Sequence, residues 1–463
     1  MEKINKEWLF QKTGDAFADT GAWTLECFTK MHPEDSILQL IERVAKIYIY
    51  QWEAKINPFF LNSTITQPAF VGDRKLEETM RYFTGIIKET EDSKEGNCRI
   101  LGHRTRLYSA GRDNHMMSGS GKFINFHHGF EGGLMLSKEI IIRMFFVPFG
   151  AVFIGNKVAV FSSNSLSIEK WFVHNIVETE NFKRIATQSS TGVYKSPYGN
   201  PANTLFESIR NWSSLSGANE EEGVEITLFH FTNFGASPEI DIYSFGANLF
   251  KFYRKMLHRN FKNDWFRLVR NHYKPPKGNV YNETEDQFYT EEKKERKPLA
   301  SGEELGFYNL IYDRLLNGRS ILPLITSWAR RQYDQQTPFK VFHIAKSYKI
   351  NLHDMKEETL KKIEQIAEIV VSNADKRKKW INSLVRIKND STFRSFLIQL
   401  IQENYKNDAS EPVIRLREYE QFFLSDGIWA AESRDLILIA VYEKLCDAKI
   451  MEEIEVPEEN NEQ

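Results

Sequence analysis

Apolar residues recur at three- and four-residue spacing at Ile37, Leu40, Ile41, Val44, Ile47 and Tyr48, which predicts an amphipathic helix over 37–52. A second helix is expected over 74–88. From 89 to 133 the chain turns polar and glycine-rich, without periodic apolar positions, and reads as an irregular excursion. The richest apolar run, 140–160, is broken by Arg143, Pro148 and the Gly155-Asn156 turn, and we read it as buried strands. Segments 150–154 and 157–162 flank that turn as a hairpin. Alternation at Val224, Ile226 and Leu228, and again at Ile240 and Ile242, predicts a second hairpin from 224–231 and 239–245. Between the hairpins, 191–201 carries two prolines and two glycines and reads as an exposed loop.

Residues 273–302 are charged and contain proline, as expected of a solvated connection. From Met355 onward the pattern is helical throughout. Successive faces hold Leu360 and Ile363, Trp380 and Leu384, Phe393 and Leu400, Leu416 and Phe423, then Leu436 and Leu445. These predict five amphipathic helices, with a frayed acidic tail after Met451. The expected class is α+β. An irregular N-terminal part (1–144, with a distinct region at 90–137) leads into a β-rich central part (145–346). The central part contains a basic helical segment (248–277) and the charged linker (273–302), and a C-terminal helical bundle spans 355–463.

Composition adds little about partners, because 61 Lys and Arg nearly balance 63 Asp and Glu. The three cysteines, Cys27, Cys98 and Cys446, are scattered and odd in number, which fits a reducing cytoplasm rather than a disulfide framework. The N-terminus lacks a signal-peptide pattern, and no apolar run reaches the ~20 residues needed to span a bilayer. A cytoplasmic chain with no membrane partner is expected.

Catalytic patterns are incomplete. Gly119-Ser120-Gly121-Lys122 has part of a phosphate loop, but Phe123 replaces the hydroxyl residue and the upstream glycine is missing, so a flexible turn is the plainer reading. His127-His128 with Glu131 offers at most one histidine to a given ion if the pair lies on a strand. His353-Asp354 is a lone pair that cannot complete a metal shell, and polar residues at a helix start account for it. No catalytic residue, metal or cofactor is expected.

The basic residues are more informative. Lys251, Arg254, Lys255, Arg259, Lys262, Arg267, Arg270, Lys274 and Lys277 fall in one segment opposed only by Asp264. Aromatic residues from Phe250 to Tyr273 interleave with them. On one helix Lys251, Lys255, Arg259 and Lys262 would share a face while the aromatics anchor the other. Such a stripe suits a nucleic-acid phosphate backbone; a solvated helix face is the competing reading. A second cluster, Lys376, Arg377, Lys378, Lys379, Arg386 and Lys388, has Asp375 and nearby glutamates available to pair with it.

Several segments are similar to the large subunit of the type I-B CRISPR Cascade complex, in the branch named for a CXXC–CXXC motif. Thr13-Gly14-Asp15-Ala16-Phe17-Ala18-Asp19-Thr20-Gly21 resembles that family's Thr-Gly-x-Pro-Phe-x-Asp-x-Gly element, with Ala16 in place of proline. Phe145-Phe146-Val147-Pro148-Phe149-Gly150 resembles its central strand pair. Ile226-Thr227-Leu228-Phe229-His230-Phe231-Thr232-Asn233-Phe234-Gly235 resembles its His-Phe-Thr-Asn hairpin, followed by Ile240-Asp241-Ile242-Tyr243. The matches are short but ordered over residues 10 to 330. The first cysteine pair is degenerate: Cys98-Arg99-Ile100-Leu101-Gly102 has leucine at the second ligand position, and the second pair is lost around 132–137. One thiolate cannot hold a structural zinc, and with His103, His115, His127 and His128 as the possible substitutes, a metal-free remnant is expected.

The resemblance implies a role without chemistry of its own. Its partners would be a guide RNA, target double-stranded DNA, the backbone subunits of the complex and a separate nuclease-helicase. Base pairing would supply sequence specificity while this subunit reads a short motif beside the target. The 191–203 loop, with Lys195, Tyr198, Asn200 and Asn203, is the candidate motif reader. A metal-dependent nuclease and a scaffold that does not touch nucleic acid are the alternatives. The resemblance also suggests that Met355 starts a separately translated small subunit covering 355–463. Expression with a C-terminal tag should then give a second, short product by intact mass that disappears in Met355→Leu.

Overall fold

The computed structural model describes residues 3–118, 133–215, 222–233, 238–292, 295–406, 412–423 and 430–454. The Gly119–Lys122 loop, Phe123, His127, His128, Glu131, Phe234 and Gly235 lie outside the described residues. The fold is α+β, with several small sheets and a C-terminal run of helices. Two compact units are present: one is 1–246 with 275–279 and 288–308, the other 247–274, 280–287 and 309–463. The division therefore falls at 246/247, not at 144/145, and the helices from 309 to 353 share a unit with those after 355.

The first unit begins with helices α1 (Lys6–Phe10), α2 (Ala16–Met31), α3 (Ile37–Lys46) and α4 (Asp73–Lys88). The expected helix over 37–52 holds in part: a capping box of Ser36 and Gln39 starts α3, and Ile47–Gln51 continues it as a wider π-helical turn. The 89–133 excursion contains β1 (Lys94–Asn97) and β2 (Arg104–Ala110), which pair antiparallel with each other, and β2 also pairs antiparallel with β3 (Leu134–Leu136).

Residues 138–150 overturn the expectation of strands. Lys138–Gly150 is a helix, α5, started by the Ser137 side chain, and every one of its residues is buried. The Phe145–Gly150 segment of the family resemblance lies in this helix rather than in a strand pair. A helix buried all round has no polar face, so no 3.6-residue period remains to be read.

The hairpins form as expected, with β4 (Val152–Ile154) against β5 (Lys157–Ser163). Helices α6 (Leu166–His174) and α7 (Phe182–Ala186), β6 (Tyr194–Lys195) and α8 (Pro201–Leu215) follow, then β7 (Ile226–Thr232) and β8 (Glu239–Phe245). One five-stranded sheet results, ordered β6-β4-β5-β7-β8, parallel only at β4–β6. In the charged segment Tyr289–Glu292 pair with Glu295–Pro298 as a hairpin whose second strand is exposed.

The contact between α2 and α5 organises this unit. A Cβ at Gly21 would overlap the carbonyl of Arg143, so the two backbones meet where a side chain is missing. Asp19 and Arg143 are both fully buried, with carboxylate and guanidinium 3.7 Å apart. The Asp19 carboxylate also accepts from Thr13 N–H (2.8 Å), Thr13 Oγ1 (2.7 Å) and Gly14 N–H (2.8 Å), while Asp15 caps α2 by accepting from Phe17 and Ala18 N–H. Arg143 donates to the Trp8 carbonyl, tying in α1. Burial lowers the Arg143 guanidinium to about 10, which leaves it charged at neutral pH. The Thr13–Gly21 segment is thus a capping and ion-pairing device.

The second unit contains α9 (Ala247–Leu257), α10 (Lys262–Arg270), α11 (Leu310–Leu316), α12 (Leu322–Asp334) and α13 (Phe342–His353). The five expected helices follow as α14 (Glu357–Ser372), α15 (Arg377–Val385), α16 (Asp390–Lys406), α17 (Leu416–Phe423) and α18 (Ala430–Asp447). Two details differ from expectation. His353 ends α13, with Asp354 left-handed at φ 50°, so the pair marks a helix end rather than a start. Leu416 is exposed rather than in the core.

Helix α18 packs on α12 and α13 as well as on α14. Tyr442 stacks on Tyr333 at 5.6 Å, Glu443 accepts from the N–H groups of Val341 and Phe342 (2.8 and 2.9 Å), and the buried Lys349 pairs with Glu432 at 2.7 Å. Met355 is itself buried and its N–H donates to the Lys349 carbonyl. The segment 355–463 therefore leaves part of its own core behind in 322–353.

Two outcomes follow. Asp19→Ala strands a buried guanidinium and should lower stability by about 3–5 kcal/mol in denaturant unfolding. Adding Arg143→Met should recover part of that loss. A fragment of 355–463 alone should lack the sharp melt and near-ultraviolet dichroism of the full chain; a cooperative melt would show that α18 does not need α12.

Candidate nucleic-acid interface

The basic segment lies on two helices, not one. Helix α9 ends at Leu257, and Phe261 and Lys262 N–H both donate to the His258 carbonyl at 2.9 Å to form the intervening turn. Asn260 and His258, weak helix formers, sit at the break. The break also brings two aromatics together. Positions 252 and 265 would be about 20 Å apart along one straight helix, whereas the rings of Phe252 and Trp265 meet edge-on at 5.6 Å. Phe250, Phe252, Tyr253 and Trp265 are buried, so the aromatics do anchor the segment as the sequence suggested.

The cations divide into two sets. Lys251 and Lys255 lie one turn apart on α9, Arg259 is in the turn and Lys262 opens α10, and all four are exposed. Among the described residues no carboxylate pairs with Lys251, Lys255, Arg259 or Lys262, and Lys255 lies over the Phe261 ring at 5.5 Å. Asp264, the one acidic neighbour in sequence, turns instead to His343 on α13, 3.5 Å from Nε2. Lys274 is also exposed, and Arg254 is half-buried against Phe250.

Arg267 and Arg270 are corrections to the stripe. Arg267 donates to the Pro338 carbonyl (2.7 Å) and to Gln332 Oε1 (2.6 Å) while lying over Trp328. Arg270 donates to the Asp286 side chain and carbonyl, both at 3.0 Å. A guanidinium satisfied on two sides by its own chain is a cross-brace. Lys277 falls in the other compact unit.

The second cluster is partly neutralised from an unexpected direction. Arg377 pairs with Glu452 at 3.1 Å and Lys378 with Glu453 at 3.0 Å. The same tail is held by Tyr333, whose hydroxyl accepts from Glu452 N–H at 2.7 Å, and by Arg330, which donates to the Ile454 carbonyl. Residues 452–454 are therefore strapped down, not frayed. Lys379 and Arg386 are exposed, and Lys376 is half-buried ahead of α15.

The 191–203 loop is corrected at its centre. Asn203 is fully buried, and its amide donates to the carbonyls of Leu305 (2.6 Å) and Phe307 (2.7 Å). Asn200 donates to the same Phe307 carbonyl (3.2 Å) and accepts from Asn203 N–H (2.9 Å). Neither amide is available to a base edge. Lys195 is exposed on β6, and Tyr198 receives a hydrogen bond from Asn211 at 3.0 Å. Beneath the loop is a cavity of about 190 Å³ lined by aromatics that include Tyr194, Tyr198 and Trp171. Trp171 was not singled out in the sequence, because it follows the loop only in space.

The degenerate cysteine region is packed as core. Cys98 is buried and its Sγ accepts from Ser137 N–H at 3.4 Å. The His103 ring stacks on Trp8 at 5.3 Å rather than meeting the thiol. His115 is buried, and burial lowers its pKa. His353 packs edge-on to Tyr348. Among the described residues no helix is long and apolar enough to cross a membrane. No family model matches the chain, and neither a curated protein nor a solved structure matches it.

Asn203→Ala should cost about 1–3 kcal/mol in unfolding by stranding the partly buried Leu305 carbonyl, the Phe307 carbonyl keeping its bond from Asn200, whereas Lys195→Ala should leave stability unchanged. Wild-type stability in Asn203→Ala together with a changed DNA-motif preference would restore a reading role.

Proposed function

We propose that this chain is a non-catalytic, nucleic-acid-binding subunit of an RNA-guided complex, of the type I-B CRISPR Cascade large-subunit kind. One observation carries the binding part of the reading. Lys251, Lys255, Arg259 and Lys262 are exposed, lack a carboxylate partner among the described residues, and stand on two helices and the turn between them, fixed from behind by buried aromatics. Cations left unpaired on a rigid support suit a phosphate backbone, where each contact releases condensed counterions. The ordered resemblance over residues 10 to 330 supplies the rest: guide RNA, target duplex, backbone subunits and a separate nuclease-helicase as partners, with antiviral defence as the role.

In this reading these four cations act through charge and position, not through base edges. Lys274, Lys379 and Arg386 extend the candidate surface. Arg267 and Arg270 hold the fold behind it. Motif reading, if it belongs to the 191–203 loop, falls to Lys195 and Tyr198 rather than to the two asparagines.

The test is binding of target DNA by the assembled complex across a salt series. Replacing Lys251, Lys255, Arg259 and Lys262 by glutamine should reduce the slope of log affinity against log salt by about 0.7–0.9 for each lost contact. Arg267→Gln should instead lower the melting temperature. An unchanged slope and affinity in the fourfold variant would leave these residues as a solvated face and favour the scaffold reading. Cleavage of DNA or RNA by the isolated chain with magnesium, manganese or zinc would overturn the non-catalytic part.

A further inference from the structure

On the side of α2 away from its capping loop, a thiol, an imidazole and a carboxylate converge. Cys27 is on α2, His174 is the last residue of α6, and Glu178 lies four residues later in a π-helical turn, Asn175–Asn181. One possible ligand atom from each residue lies within 4.8 Å of the others. Single π-helical turns are uncommon and occur disproportionately at functional sites. This one is held at its far end by Asn181, whose amide donates to the Phe149 carbonyl of α5 at 2.6 Å.

We propose that Cys27, His174 and Glu178 form a binding site for one zinc-type divalent cation. The ligand chemistry selects the class of ion: a thiolate with an imidazole suits zinc and cobalt, whereas magnesium and calcium require oxygen shells. Among the described residues His174 Nε2 makes no hydrogen bond, and the Glu26 carboxylate stands 3.7 Å from it, so a ring nitrogen is available. Tetrahedral bonds of about 2.0–2.3 Å place ligand atoms about 3.5 Å apart. With all three atoms within 4.8 Å of one another, any remaining closure is small, and the exposed Glu178 is the group with most room to make it. On binding, the metal takes the place of the Cys27 thiol proton.

The charges balance. Thiolate and carboxylate together neutralise the dication. Glu26, the other nearby carboxylate, is already paired with Lys170 (2.8 Å) and Lys30 (3.2 Å). The fourth position thus falls to water on the Glu178 side. Cys27 itself is 1% exposed, so the ion enters past Glu178. This site is separate from the degenerate Cys98 region and does not depend on the proposed nucleic-acid role.

The experiment uses the full chain, stripped with chelator and titrated with cobalt(II). The expected result is one equivalent bound per chain, with a near-ultraviolet thiolate-to-cobalt band that zinc(II) abolishes by displacement. Cys27→Ser should remove the band. His174→Gln and Glu178→Gln should each weaken binding at least tenfold while keeping the wild-type far-ultraviolet dichroism. Cys98→Ala and Cys446→Ala should leave the band intact. Should Cys27→Ser fail to fold, the double variant His174→Gln/Glu178→Gln decides the matter. No thiolate band in the wild type, or a band that survives in the double variant, would overturn the proposal.

Discussion

The first unit depends on a backbone approach that only a missing side chain permits. At Gly21 helix α2 lies against the carbonyl of Arg143 in α5, and the fully buried Asp19–Arg143 pair sits at the same crossing. Two helices this close leave no room for water, so each polar group at the crossing must find its partner within the chain. Asp19 does so through Thr13 and Gly14; Arg143 does so only in part, donating from one terminal nitrogen to Trp8 while Nε and Nη1 make no hydrogen bond among the described residues and face Asp19 through charge alone. The same helix α2 then presents Cys27 and Glu26 to α6. An interhelical geometry set at residues 19–21 therefore also sets where the thiol, the imidazole and Lys170 can meet.

Much of this organisation was legible in the sequence, and the failures share a cause. Helices α3 and α4 and the five helices after 355 show a polar face, so their period survives in the residue pattern. The two hairpins were marked by alternation and by a two-residue turn. Helix α5 was missed because all thirteen of its residues are buried and many are β-branched or aromatic. The expected base-reading amides failed for another reason: Asn203 is polar in sequence but meets the carbonyls of residues a hundred positions away. Polarity says that a group needs a partner, not that the partner is a ligand.

The same distinction sorts the cations. Seen along the chain, Arg267 and Arg270 extend a basic run, and nothing local separates them from Lys255. Only in three dimensions do Gln332, Pro338 and Asp286 claim them. Arginine's planar fork makes it the better brace, while lysine's compact charge on a flexible stem remains outside. On α15 the expected local partner Asp375 gives way to Glu452 and Glu453, which sequence distance had concealed.

The packing of α18 on α12 also constrains the order in which the chain can be completed. More than a hundred residues separate Tyr333 from Tyr442, so translation at about 5–20 residues per second leaves roughly 5–20 seconds between them. Through that interval Leu322, Ile325 and Ala329 on α12 have been made, but α18, against which α12 packs, has not. A nascent chain of this kind carries an unfilled apolar groove on α12 until α18 is made, a natural point for a chaperone to act.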